Sequence, residues 1–511
     1  MSQNEQINYA RIASVENTEI EYYEENKLNF TSHEAKLAKY GIDYFPKSIE
    51  EQYGYIMHES VLNALLALCR PLNFIELSNA REGDKVPLNQ QKIIVVEQIL
   101  KLAEEHKFSL CKKNSSTYVF NGAYWKQVDE EELEHFLGEA ALKMGMAEFT
   151  AKDVLTKKAL VKQFLSSAYL KKVVNQHGEV KINLLNGTFI ISPEAVFLKA
   201  FDRKDFLTHQ LPFAYEKYAD CPLFDQYLNR VLPDKELQDI LAEYLGYAFV
   251  SNSKLKLEKA MILVGNGANG KSVLFEIVRS LFGEENISNY SLSSLTSKEG
   301  YHRAMLSDKL LNYASEISPT MDPTFFKQIV SGEPIEARLP HKDPFILKDY
   351  ARFLFNTNSL PKNVEHNEAF FRRLIILEFK VTIPEAERDP NLAQKIIASD
   401  LPGVFNWVLE GLSRLLRNQG FTQSRIADQM LTNYKLHSDS VHLYMDEKGY
   451  EVGEDEKVDA YEIHHDYQEY CKNSGYRPCA RNTFNERLRF LGYNIIRRNS
   501  GMVLKYSKIK V

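Results

Sequence analysis

One stretch leaves this 511-residue chain few architectures to choose from. Lys259–Val264 (KAMILV) is a short apolar run that passes directly into Gly265-Asn-Gly-Ala-Asn-Gly270-Lys271-Ser272, and then into a helical pattern, Val273–Phe282, that stops at Gly283. Strand, G-x-x-x-x-G-K-S loop and helix in that order predict an α/β domain with a phosphate-binding loop. Glycines let the loop turn tightly enough for successive backbone N–H groups to point inward at phosphate oxygens. The helix beginning near Lys271 adds its positive dipole end. Lys271 supplies a point charge for the β- and γ-phosphates, and Ser272 a hydroxyl ligand for Mg2+. Gly265, Asn266, Gly267, Ala268, Asn269, Gly270, Lys271, Ser272 and Val273 are therefore the expected contacts to a nucleoside triphosphate. A chance glycine turn also joins strands to helices, but here spacing and context agree.

Composition sets the surroundings. Apolar residues are 44% and charged residues 26%, the mix of an ordinary globular protein. A chain this long buries enough surface to fold without staples. Its five cysteines are odd in number and widely spaced, which argues against a disulfide framework and for a reducing compartment. His464-His465 near Cys471 and Cys479 fit no familiar zinc spacing. No basic, then apolar leader follows Met1, and no run of 18 apolar residues occurs, so the expectation is a cytoplasmic protein without a membrane partner. Net charge is only −6, so any nucleic-acid contact must rest on local basic groups. Ala480–Val511 has eight Lys/Arg against one acid, whereas Leu443–Cys479 has ten acids and four bases. The first 25 residues are acidic (Glu16, Glu19, Glu21, Glu24, Glu25) and read as a loosely held tail.

Residues downstream of the loop decide how a triphosphate would be used. Lys309–Glu316 reads as an apolar strand ending in a carboxylate, placed to hold the magnesium shell and polarise water. Ser331–Phe345 ends as a strand, a Pro-bounded tip with His341 and Lys342, and a second strand. Such a hairpin suits contact with a phosphate backbone, and a solvated charge on an exposed hairpin explains it equally. Ala351–Phe355 is a buried-type strand followed by Asn356-Thr357-Asn358, where a polar side chain could orient water. Phe370-Phe371-Arg372-Arg373 leads into the strand Leu374–Phe379, and the arginines read either as a rim ion pair or as a finger toward a transferring phosphoryl group. Upstream, Asn121-Gly122 and Asn186-Gly187 mark hairpins, and helical spacing recurs over Asp129–Met144, Ala151–Val174 and Phe224–Phe249.

In this order, GNGANGKS, the Glu316 strand, SGEPIEAR (Ser331–Arg338), FNTNSLP (Phe355–Pro361), FFRR and LPGVFNWVLEGL (Leu401–Leu412) resemble the superfamily 3 helicases, and within them the helicase portion of phage/plasmid primase–helicases of the satellite-phage type. The resemblance runs from about Tyr118 to the C-terminus. It implies an AAA+-like P-loop motor domain with a parallel sheet (251–425), a helical family-specific domain before it (116–250), an N-terminal accessory region (1–115) and a C-terminal winged-helix domain (439–511). It implies ATP and Mg2+ as cofactors, Lys271 and Ser272 on triphosphate and metal, Glu316 as the Walker B acid with Ser272 on the metal, Asn358 as the sensor, and Arg372 or Arg373 as the finger acting on a neighbouring subunit. Where many relatives have two adjacent acids, this chain has Ser315-Glu316. Arg338, His341 and Lys342 would face DNA from the hairpin. Arg481, Arg487, Arg489, Arg497 and Arg498 would do so from the winged helix.

The expected activity is an ATP-dependent DNA helicase of phage, plasmid or mobile-element replication. It would be a homo-hexameric ring moving on single-stranded or forked DNA beside a separate primase or other replication proteins. The first 120 residues show no paired acids on an apolar strand, so no primase activity of its own is expected. Two rivals stay open: a non-catalytic initiator in which nucleotide stabilises an oligomer on origin duplex, and a P-loop kinase or NTPase switch.

Overall fold

In the computed structural model the described residues are 48–81, 83–113, 116–168, 179–192, 195–315, 321–340, 343–361, 364–498 and 501–508. They fall into two compact units, Met1–Asp225 with Asp389–Asn406, and Gln226–Arg388 with Trp407–Val511. The acidic tail, Glu316, His341 and Lys342 lie outside the described residues.

The first unit is built on four helices, His58–Leu68, Leu88–Glu105, Glu130–Lys143 and Val154–Ser167. Glu130–Lys143 shows why they form. Asp129 caps it by accepting from Glu131 N at 2.8 Å, acids fill its first turn and Lys143 its last, all complementary to the helix dipole. Leu133, Phe136, Leu137 and Ala140 recur at helical spacing and bury against Val95, Ile99 and Phe164. Of the long run expected over Ala151–Val174, residues 169–174 lie outside the described residues, and the rest falls in two helices, Glu148–Lys152 and Val154–Ser167, because Asp153 leaves the helix to cap Thr156. Both Asn-Gly turns close hairpins, pairing Phe120 with Trp125 and Leu184 with Gly187. Only glycine fits at 187: its φ is +150° and a Cβ would lie 2.5 Å from Lys199 O. The returning segment is held by Asp400, whose carboxylate accepts from Phe224 N at 2.9 Å, and by Phe405 against Phe189 and Phe213.

The second unit is an α/β domain around a five-stranded sheet. Its strands are β1 (Ala260–Val264), β2 (Ile287–Ser288), β3 (Leu311–Ala314), β4 (Arg352–Thr357) and β5 (Leu374–Glu378), with helix α1 (Lys271–Phe282) following β1. The order is β5-β1-β4-β3-β2 and every neighbouring pair is parallel. β3 and β4 are buried throughout, and β1 and β5 but for their last residues, so β1 and β5 read as near-continuous apolar runs rather than alternating ones. Helix Lys235–Tyr247 meets residues 407–418 across two glycines. A Cβ on Gly411 would lie 2.5 Å from the Ala242 carbonyl carbon, and one on Gly246 2.7 Å from Leu412 Cβ. Fully buried Glu243 joins them, accepting from Arg414 at 2.6 Å and from Thr422 N at 2.7 Å. Helix α2 (Arg425–Ser438) packs on β5.

The C-terminal part of this unit runs helix Ser440–Glu447, strand Tyr450–Asp459, helices Ala460–Ser474 and Arg481–Phe490, then the hairpin Asn494–Arg498 and Gly501–Lys508. The last strand sits in the middle of an antiparallel three-stranded sheet. The first strand has no apolar alternation to announce it. It pairs because its acids find partners on the central strand: Glu454 with Lys505 at 2.7 Å, Asp455 with Ser507 at 2.5 Å and Glu456 with Tyr506 at 2.7 Å. Among the described residues no helix is long and apolar enough to cross a membrane.

Candidate functional site

The parallel sheet gathers at one edge what the chain spreads over a hundred residues. β4 lies between β1 and β3, so the carboxyl ends of all three adjoin. From β1 the chain enters the glycine loop, with Gly267, Ala268 and Gly270 all at positive φ (+92°, +49° and +87°). At Gly265 a side chain has no room: a Cβ would come 1.9 Å from Asn269 Nδ2 and 2.7 Å from Phe379 O. Asn269 is buried and ties the loop to the sheet by donating to Phe379 O at 3.3 Å. Ile383 N donates to Ala268 O at 2.7 Å, and Tyr227 Oη to Gly270 O at 2.9 Å.

Lys271 opens α1 but its ammonium folds back over the loop, donating to Gly265 O at 2.6 Å and Asn269 Oδ1 at 3.1 Å. Burial holds it below the usual lysine range, since the charged form loses solvent. Asn266, Ala268 and Ser272 are exposed, Gly265 and Asn269 are buried, and Gly267, Gly270 and Val273 are partly so. Among the described residues no three His, Cys, Asp or Glu side chains cluster as a metal site. Ser272, next to Lys271, keeps its side chain exposed.

At the end of β3, Ser315 is exposed and Glu316 is outside the described residues. At the end of β4 the two asparagines separate. Asn356 is buried and accepts from Tyr313 Oη at 3.0 Å, binding β4 to β3, whereas Asn358 is exposed just past the strand.

Arg372 and Arg373 lie at the opposite edge. Arg373 immediately precedes β5, whose first residue, Leu374, pairs with Ala260 at the start of β1. The two differ sharply. Arg373 is buried and committed, donating to Ser331 Oγ at 3.0 Å and to Ala369 O, with Glu258 at 3.5 Å. Arg372 is 52% exposed, with Glu258 at 2.9 Å. Burial alone would raise the Glu258 carboxyl, but Lys256, Arg373 and Arg372 outweigh it and hold it below the ordinary carboxylate value. The sequence gives no sign of Glu258, because an acid at a strand entrance is common.

The expected hairpin is present as Ile335–Ala337 paired with Phe345–Leu347. Buried Arg303 anchors it by donating to Glu336 O at 2.9 Å, and Arg338 is exposed at the start of its tip. On helix Arg481–Phe490, Arg481 and Arg489 are exposed, while Arg487 reaches Asp439 at 3.4 Å. Arg497 is exposed on the hairpin strand, which Arg498 ends.

Comparison with known proteins covers both units in part. Residues 97–233 match the family described as D5 N terminal like, and residues 263–373 match a family of unknown function, DUF5906. A protein of Acanthamoeba polyphaga mimivirus named "Putative helicase L207/L206" is 25% identical over 211 residues, 38% of this chain and 21% of that protein. The chain thus spans about a fifth of the length of that relative. Two solved structures of the NrS-1 C-terminal region, both apo, are 12% identical with TM-scores of 0.45 and 0.44, covering 80% and 82% of this chain and 98% and 99% of theirs. Over part of its length the chain is thus similar to the D5 N terminal like family and to a viral protein named as a helicase.

Proposed function

We propose that this chain is an ATP-driven DNA helicase of phage, plasmid or mobile-element replication, working as a hexameric ring on single-stranded DNA. The observation that carries the reading is the split between the two edges of one sheet. Lys271 is held over the glycine loop at the carboxyl edge, where β3 and β4 also end, while the arginine pair stands at the amino edge. A five-residue strand is about 17 Å long, farther than an arginine reaches. Neither Arg372 nor Arg373 therefore reaches a phosphoryl group bound at the loop of its own subunit, which supports a role for the pair across a subunit boundary.

In this reading Lys271 and the loop N–H groups hold the triphosphate, and Ser272 and Glu316 complete the Mg2+ shell with water. Glu316 and Asn358 orient the attacking water, and Arg372, the more exposed of the pair, meets the neighbour's phosphate. The Arg338–Lys342 hairpin follows the strand. The C-terminal helix–strand–helix–helix–hairpin order supports reading this part as a winged helix, which would present Arg481, Arg489 and Arg497 to DNA. The D5 N terminal like region and the helicase name of the mimivirus relative support this reading.

Steady-state ATP hydrolysis with and without forked single-stranded/duplex DNA, with Lys271→Ala as the blank, tests it. DNA-stimulated turnover that vanishes in the blank is expected. Turnover that is absent or indifferent to DNA sinks the motor and promotes the initiator or the switch.

A further inference from the structure

One bend of the first unit, Phe149–Leu155, puts three large apolar side chains into solvent. Phe149, on helix Glu148–Lys152, is 88% exposed; Val154 and Leu155, which open helix Val154–Ser167, are 58% and 76% exposed. Scattered singly such residues need no explanation, but gathered on one bend they mark a contact surface. The bend is fixed, because Asp153 ends the first helix and caps the second, accepting from Thr156 N at 2.8 Å. The second helix buries Thr156, Leu160, Val161 and Phe164, so Leu155, Lys158 and Lys162, at i, i+3 and i+7, share its outer face.

Charge says what the surface takes. Its two acids are engaged, Glu148 with Lys152 at 2.6 Å and Asp153 with its cap. Lys158 and Lys162 are exposed and form no ion pair among the described residues. The fitting occupant is a segment whose apolar side chains are set among acids. A nucleic acid fits worse, since two of the three apolar groups are aliphatic and offer bases no ring to stack on. The chain itself carries such a segment. Ile12–Asn26 holds Glu16, Glu19, Glu21, Glu24 and Glu25 and no lysine or arginine, with Val15, Ile20, Tyr22 and Tyr23 among them. It lies outside the described residues, which begin at Ser48. The stretch from Glu25 to Ser48 covers about 75 Å when extended, against roughly 40 Å across a domain of this size, so the surface is within reach.

We propose that Phe149, Val154, Leu155, Lys158 and Lys162 form a docking surface for the Ile12–Asn26 segment of the same chain. Ile20 and the two tyrosines cover the apolar bend, and the glutamates between them face the two lysines. Tethering holds the segment at an effective concentration near millimolar, so a contact too weak to persist between separate molecules suffices. The assignment is independent of what the Lys271 loop binds.

The experiment places the photo-crosslinking residue p-benzoylphenylalanine at position 149 of the full chain, where the side chain is exposed and a larger ring is tolerated. After irradiation, products are separated on a denaturing gel and the crosslinked peptides mapped by mass spectrometry. Crosslinks should fall within Ile12–Asn26 and run as monomers. Lys158→Glu/Lys162→Glu should lower their yield about fivefold, the worth of two surface ion pairs. Adding Glu21→Lys/Glu24→Lys should restore most of it, a rescue that damage to the fold does not give. Crosslinks elsewhere in the monomer, or none, overturn the proposal. Crosslinks that run as dimers overturn it and assign the surface to a second copy. A yield that ignores both charge variants overturns the pairing of lysines with glutamates, and with it the choice of this segment.

Discussion

Arg372 and Arg373 are adjacent and chemically identical, yet their surroundings give them different work. Arg373 is enclosed, and removing it leaves Ser331, which is fully buried, and Glu258 short of a partner. Arg373→Ala is therefore expected to cost about 2–4 kcal/mol of stability, read from urea denaturation. Arg372 is half exposed, so Arg372→Ala should cost at most about 1 kcal/mol while abolishing ATP turnover. In mixed rings, its loss should be rescued by subunits that carry Arg372 but lack Lys271. If Arg372→Ala hydrolyses ATP normally and Arg373→Ala, still folded, does not, the finger passes to Arg373. If both hydrolyse normally, no finger acts in trans. The pair itself is visible in the sequence; which member is the more exposed is not, because Arg373 is enclosed by Ser331, forty-two residues away and brought to it by the tertiary fold.

Among the elements, the loop between β1 and α1 is the one most completely written in the sequence, since its glycines, its lysine and its flanking periodicities are all local. What the letters do not disclose is that Gly265 is required by Asn269: the side chain that ties the loop to Phe379 occupies the space a Cβ would need. Gly265→Ala should thus displace the Lys271 clamp. We expect a stability loss of about 1–3 kcal/mol and a loss of triphosphate affinity of at least tenfold, measured by thermal unfolding and by nucleotide binding on the same sample. The acidic strand Tyr450–Asp459 is the opposite case. Ten residues whose middle, Gly453–Lys457, has no apolar side chain give no strand signal, and the partners that make it a strand lie some fifty residues on, at Lys505, Tyr506 and Ser507.

On the scale of the whole molecule, charge that looks collective in the sequence is partly spent inside the fold. Of the eight C-terminal bases, Lys505 is paired with Glu454 and Arg487 with Asp439, while Arg481, Arg489 and Arg497 remain exposed. Changing these three to alanine together should lower the slope of log affinity for DNA against log salt by roughly 2–3, because each phosphate contact contributes about 0.7–0.9. Lys505→Ala should leave the slope unchanged. An equal effect from both would mean that the basic tail acts as diffuse charge rather than as a defined face.

The strand order has one more consequence, for a chain still on the ribosome. Met261 in β1 pairs with Leu354 in β4 and Ile375 in β5, so the most apolar strand of the sheet emerges long before either neighbour has been made. Until translation passes Glu378 its two hydrogen-bonding edges stay bare, and the first unit likewise waits for Asp389–Asn406. Late closure of this kind makes folding slow and nascent chains sticky. Fragments ending between α1 and β5 should collect in inclusion bodies, and yield of the intact protein should respond to chaperones that shield strands during synthesis.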